Sequence, residues 1–163
     1  MSIKGFFPTG FQTLPAPLVQ AALFLPRLSL QGLINFMIDT GADNTTLSLM
    51  DVERLNVNYR RLKRRSRVEI AGFGGDQWCY GEEAIVILRD EDANTYIFPI
   101  DVHIPVKGKK HEQREQQRRL VSVLGRDVIN QCKLIVNFHE GVLEIIAPEG
   151  TRLPVAMRAL RLL

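Results

Sequence analysis

Ile38-Asp39-Thr40-Gly41-Ala42-Asp43-Asn44-Thr45-Thr46-Leu47 follows directly on an apolar run that begins at Leu33. The run Leu33-Ile34-Asn35-Phe36-Met37-Ile38 ends abruptly at an acid, a hydroxyl and a glycine. This is a strand that delivers a carboxylate onto a tight turn, where Gly41 permits close backbone approach. Taken alone, an Asp after a strand is more often a turn former or helix cap than a catalyst. Its meaning depends on the rest of the chain.

Farther on, Val121-Ser122-Val123-Leu124-Gly125-Arg126-Asp127-Val128-Ile129 repeats the same idea. An apolar strand is broken by glycine and followed by a helix start. Between the two segments, Ala71-Gly72-Phe73-Gly74-Gly75 is rich in glycine. On its own it would be an ordinary hairpin turn.

With these three segments in this order, the chain resembles the retropepsins, the single-domain aspartic proteases of retroviruses and their cellular relatives. Asp39-Thr40-Gly41-Ala42-Asp43 matches the family's active-site turn. Leu124 to Ile129 matches its Gly-Arg-Asn/Asp segment, with the likeness running through Asn130-Gln131-Cys132 to Asn137-Phe138. Gly72 to Gly75 matches the flap tip. The resemblance spans Leu18 to Phe138 and implies a small closed β-barrel of the acid-protease type. That fold is all-β, with one short helix in its C-terminal half, and acts as a symmetric homodimer.

The resemblance also assigns roles. Asp39 would be catalytic, Thr40 would hydrogen-bond across the dimer, and Gly41 would offer its amide to the carboxylate. Ala42 and Asp43 would meet substrate, with Asp43 also paired to Arg126 in an ion pair that braces the dimer. Gly72, Phe73, Gly74 and Gly75 would close over substrate. Hydrolysis of this kind uses two carboxyls about 3 Å apart that share one proton, and it needs neither metal nor cofactor. The chain holds one Asp-Thr-Gly and no second copy, so a partner copy must supply the other Asp39. A peptide or protein is the implied substrate.

At 163 residues the chain is long enough for one domain with extensions. Its 45% hydrophobic and 24% charged content is ordinary for a soluble globular protein. Cys79 and Cys132 have no Cys-x-x-Cys spacing, which points to a reduced, cytoplasmic setting. His103, His111 and His139 lie far apart, so no metal site is expected. The net charge of +3 comes from two local runs, Arg60 to Arg67 and Lys107 to Arg119. Without them, nine basic residues face sixteen acidic ones. Solvated loops are the plain reading of such runs. A nucleic-acid contact is the sharper one, weakened because Tyr59 alone among aromatics adjoins them.

Along the chain, residues 1–17 read as an irregular arm and 18–146 as the protease-like domain. Leu18 to Leu25 is too short for a membrane helix, which needs about 20 apolar residues. It follows several prolines and is read as a strand pairing with Leu33 to Ile38, not as a leader. Ser48 to Leu55 suits a short helix, and strands are expected at Val68 to Ile70, Ala84 to Leu88 and Tyr96 to Ile104. Pro99 marks the last of these as an edge or a bulge. Residues 107–119 have no apolar face and read as an exposed or disordered insertion. By the resemblance that loop would lie beside the substrate cleft.

Beyond Phe138, where viral retropepsins stop, Leu134 to Phe138 and Val142 to Ile146 read as a hairpin around His139-Glu140-Gly141. The resemblance to cellular retropepsin-like domains gives this hairpin, within 134–146, to an intersubunit sheet. Residues 147–163 end as a short amphipathic helix or a frayed tail. The rival functional class is a silent retropepsin-fold dimer that recruits a partner through its basic runs.

Overall fold

The apolar run that leads to Asp39 is the second arm of a hairpin. The computed structural model describes residues 2–8, 15–63, 66–70 and 77–153. Its strands are β1 (Ile3–Lys4), β2 (Leu18–Leu25), β3 (Leu30–Ile38), β4 (Arg67–Ile70), β5 (Gln77–Arg89), β6 (Thr95–Pro105), β7 (Val123–Leu124), β8 (Lys133–Asn137) and β9 (Val142–Ile146). The α-helices are α1 (Leu49–Arg54), α2 (His111–Arg119) and α3 (Arg126–Ile129).

β2 and β3 pair antiparallel from Leu25↔Leu30 to Leu18↔Met37. A 3-10 turn, Pro26–Leu28, joins them, and Ser29 closes it in the left-handed region at φ 56°. Alternation along β3 sends Ile34, Phe36 and Ile38 into the core and leaves Leu33 and Asn35 outside. Asp39 inherits the outer face.

The long strand β5 organises the main sheet, whose order is β4-β5-β2-β3-β7, with β6 also on β5. One edge of β5 takes β6 without a bulge from Cys79↔Pro105 to Arg89↔Thr95, so Pro99 lies within an unbroken ladder opposite Ile85. The other edge takes β4 and then β2. Leu23, Phe36, Val86, Phe98, Ile104 and Leu124, all fully buried, fill the interior. Burying each such side chain contributes about 1.5–3 kcal/mol.

The barrel expected from the sequence is not closed by direct pairing of its outer strands. Instead Thr46 bridges His103 of β6 on one side and Val123 of β7 on the other. A second sheet, β1-β9-β8, carries the predicted C-terminal hairpin. Within the arm read as irregular, Ile3 pairs with Ile145, and both are buried. Two residues are too few to show a period, which is why the sequence does not announce this strand. The possible tail helix falls mostly on 154–163, outside the described residues. Before it, Glu149–Thr151 forms a 3-10 turn, and Arg152 bridges to Tyr96.

One helix was expected in the C-terminal half, and the chain has three α-helices among the described residues. α1 lies where Ser48 to Leu55 suggested, with Ser48 Oγ accepting the Asp51 amide at 3.1 Å. The substantive correction is α2, within the segment expected to be an exposed or disordered loop. It buries none of its residues, so hydrophobic periodicity gave no sign of it. Polar ties hold it. Gln113 Oε1 accepts the Lys110 amide at 3.2 Å, and Gln117 reaches the Gly108 amide and the Val106 carbonyl. Glu53 of α1 accepts from both Lys107 and Arg118.

The other basic run is also partly structural. Arg61 donates to the Leu28 and Arg27 carbonyls at 3.0 and 2.9 Å. Arg67 lies over the Trp78 ring at 5.4 Å. Arg27 itself forms a two-point ion pair with Glu82, whose side chain is 2% exposed. Cys79 and Cys132 are free thiols, and burial pushes both up to about 11. Among the described residues no helix is long and apolar enough to cross a membrane.

Arg118 and then Lys107 hold the Glu53 carboxyl down at about 2, against an ordinary 4.5. A depressed folded value means the tie is fully present above pH 4.5 and is lost as pH falls toward 2. Amide chemical shifts of 111–119 should therefore leave their helical values in that window while those of β2 and β5 hold. Glu53→Gln should weaken α2 already at neutral pH and flatten this dependence. An α2 that keeps its shifts in Glu53→Gln would show that the carboxylate does not hold it.

Candidate active site

β3 ends at Ile38, and its last two residues pair in parallel with β7, Met37↔Val123 and Ile38↔Leu124. This pairing fixes where Asp39 emerges, and the Asp39 amide donates to the Leu124 carbonyl at 3.1 Å. The chain then turns, with the Ala42 amide donating to the Asp39 carbonyl at 3.3 Å. Asp39 is half-buried, and its Oδ1 accepts the Gly41 amide at 2.8 Å. A Cβ on Gly41 would lie 3.2 Å from that same oxygen, so glycine keeps the carboxylate uncrowded.

The rest of the turn is fastened to α3. The Arg126 amide donates to the Ala42 carbonyl at 2.8 Å, and the Asp127 amide to the Asp43 carbonyl at 3.1 Å. The expected Arg126–Asp43 ion pair is present within one chain, with both side chains largely in solvent. An exposed pair of this kind contributes about 0.2–1 kcal/mol. Thr40 is exposed at the open side of the turn.

Two residues without an assigned role in the sequence reading do most of the fastening. Thr45 is fully buried, and Asp127 accepts its amide at 2.9 Å and its hydroxyl at 2.7 Å. Asp127 also accepts the Val128 amide at 3.0 Å, while Thr45 Oγ1 accepts the Gly125 amide at 3.1 Å. Gly125 is pressed against the turn, since a Cβ there would meet the Asn44 carbonyl carbon at 2.5 Å. The available signal was a hydroxyl following the Asp-Thr-Gly and an acid directly after Arg126. Neither is distinctive without the fold that joins them.

Gly72, Phe73, Gly74 and Gly75 lie outside the described residues. The strands that lead to and from them, β4 and β5, pair from Arg67↔Tyr80 to Ile70↔Gln77. Among the described residues no group of three or more His, Cys, Asp or Glu is placed to hold a metal ion. The arrangement offers one fixed carboxylate on an open face. Alone it can accept or give one proton.

In structure the chain is similar to retropepsin-like aspartic proteases. One such protein, from Rickettsia conorii, is 17% identical, with 78% of this chain and 88% of that one covered and a TM-score of 0.44. The EIAV protease complexed with the inhibitor HBY-793 is 18% identical, with 74% and 93% covered and a TM-score of 0.43. The retroviral protease-like domain of Ddi1 from Leishmania major is 14% identical, with 84% and 94% covered and a TM-score of 0.39. No protein-family model and no curated protein matches the sequence.

Removing the Asp127 carboxylate leaves two buried Thr45 donors without an acceptor. Asp127→Ala should cost about 2–3 kcal/mol in denaturant unfolding. Gly125→Ala should cost about 1–3 kcal/mol through the clash with Asn44. Arg126→Ala, which removes an exposed ion pair, should cost about 1 kcal/mol or less. An Asp127→Ala loss no larger than that of Arg126→Ala would show that the turn is held by something else.

Proposed function

We propose that this chain is an aspartic endopeptidase that works as a symmetric homodimer, with one Asp39 from each subunit in a shared centre. The observation that carries this is a single half-buried carboxylate, fixed by the Gly41 amide at 2.8 Å on an open turn. A chain with one Asp-Thr-Gly holds half of the acid–base pair that peptide hydrolysis requires. Two Asp39 carboxyls brought together by a two-fold axis cannot both ionise, so they share a proton. The ionised one takes a proton from water as its oxygen attacks the scissile carbonyl carbon. The other donates its proton to the carbonyl oxygen. Proton transfer to the amide nitrogen then lets the C–N bond break.

In this reading Gly41 orients the carboxylate, Thr40 links the two turns across the dimer, and Asp43 meets the substrate backbone while held by Arg126. Ala42 lines the cleft beside them. Gly72, Phe73, Gly74 and Gly75 form the flap. The β8–β9 hairpin with β1 contributes to the subunit contact, in keeping with the exposed Val136, Phe138 and Ile146 along it. Substrate is a peptide or protein, with no metal or cofactor.

The test is subunit poisoning. If wild type and Asp39→Asn are mixed and exchange freely, fully wild-type dimers vary as the square of the wild-type fraction. Activity per wild-type chain should fall in proportion to that fraction, and specific activity should drop on dilution below the dimer dissociation constant. Unchanged wild-type activity in excess Asp39→Asn, after demonstrated exchange, would refute the shared centre. Wild type that dimerises but cleaves no member of a diverse peptide pool would favour the silent binding dimer.

A further inference from the structure

The two basic runs, far apart in the sequence, meet at the start of β5. The first, residues 60–67, ends at Arg67 in β4, and the second, residues 107–119, leaves the end of β6. The Val106 amide donates to the Trp78 carbonyl at 2.8 Å, so the second run begins one residue from that bond. Tyr59, directly before the first run, donates its hydroxyl to the Pro105 carbonyl at 2.8 Å. Sequence alone sets only Tyr59 beside these charges. The fold adds two more aromatics. Arg67 lies over the Trp78 and Tyr80 rings, 5.4 and 5.7 Å from their centres. Tyr80 in turn meets Tyr59 edge-on at 6.2 Å. Trp78 is still 45% exposed, so part of the indole is open to a partner.

The charge here is largely uncompensated. Arg60, Arg67, Lys109 and Lys110 are exposed and have no ion pair among the described residues. The two runs together carry twelve basic residues and two acids, Glu112 and Glu115. Glu53, which holds Lys107 and Arg118, and Glu69, opposite Trp78, add two more acids, so cations prevail. A row of phosphates answers such charge, and an unpaired base stacks on an open indole. A duplex hides its base faces, and an acidic peptide leaves Trp78 unused.

We propose that the surface formed by Arg60, Arg67, Trp78, Tyr80, Lys109 and Lys110 binds single-stranded nucleic acid. Phosphates lie along the cations and a base stacks on Trp78. This is separate from the proteolytic reading of Asp39, and its test reads binding alone.

Trp78 is the single tryptophan of the chain, so its fluorescence reports on this surface. The full-length protein is titrated with end-labelled oligouridylate of about 16 nucleotides. Trp78 emission should be quenched with the same midpoint as the change in probe anisotropy. The slope of log affinity against log salt should be about −3, as four phosphate contacts on a single strand give. Trp78→Ala should weaken binding about tenfold, and Trp78→Phe should keep most of it. Arg67→Gln should weaken binding and make the slope shallower by about 0.7. A Lys109→Gln, Lys110→Gln double variant tests the second run without touching the aromatic stack, and should make the slope shallower still. No binding, binding without quenching, a slope unmoved in both charge variants, or equal affinity for a duplex of the same length overturns the proposal. Polyglutamate competing as well as the oligonucleotide would give the surface to acidic peptides. Phosphatidylserine vesicles competing as well would give it to a membrane. Either result overturns the nucleic-acid assignment.

Discussion

A turn that carries a carboxylate to an open face has a backbone problem, because its amides and carbonyls leave the β-ladder just where precision is wanted. In this chain the problem is met from the far end of the sequence. Asp127 takes both donors of buried Thr45, Gly125 gives its amide to the Thr45 hydroxyl, and the α3 amides fill the Ala42 and Asp43 carbonyls. A buried donor left unpaired costs about 1–3 kcal/mol, so the turn has one well-satisfied conformation and no cheap alternative. The position of Asp39 follows from this. Among the described residues its own side chain accepts one bond, from the Gly41 amide.

The same segment also completes the sheet. The Thr46 amide and carbonyl exchange hydrogen bonds with Val123 at 3.0 and 2.9 Å. On the other side, His103 donates to the Thr45 carbonyl and accepts from the Leu47 amide, both at 2.9 Å. The outer strands β6 and β7 are thus joined through the residues that follow Asp39. The candidate site and the link between β6 and β7 depend on one stretch of backbone.

Much of this was legible in the sequence for physical reasons. Alternation along Leu33 to Ile38, glycine after an acid, and the apolar segments from 18 to 25 and 95 to 105 each carry a strong local period or break. What escaped was held by polar contacts or by very short pairing. α2 has no apolar face and owes its place to Glu53, Gln113 and Gln117. β1 is two residues long, and its evidence is a partner near the other end of the chain. The Arg27–Glu82 pair and the Arg61 contacts join residues whose nearness no local pattern encodes. The basic run around Arg61 read as solvated charge, although part of it braces the turn between β2 and β3.

The seam at Thr46 also bears on the order in which the molecule is made. The β2–β3 and β5–β6 hairpins join residues close in sequence and can form early, whereas the bonds from residues 42–47 to β7 and α3 span most of the domain. Loop closure over such a span is entropically costly and slow relative to local pairing. On the ribosome, a chain that has emerged only as far as β6 holds Asp39 on a turn with no acceptor for Thr45 and no β7 beside β3. The acid is synthesised early and set in place late. A nascent chain cannot present an ordered carboxylate to its neighbours before the residues that follow α2 have arrived.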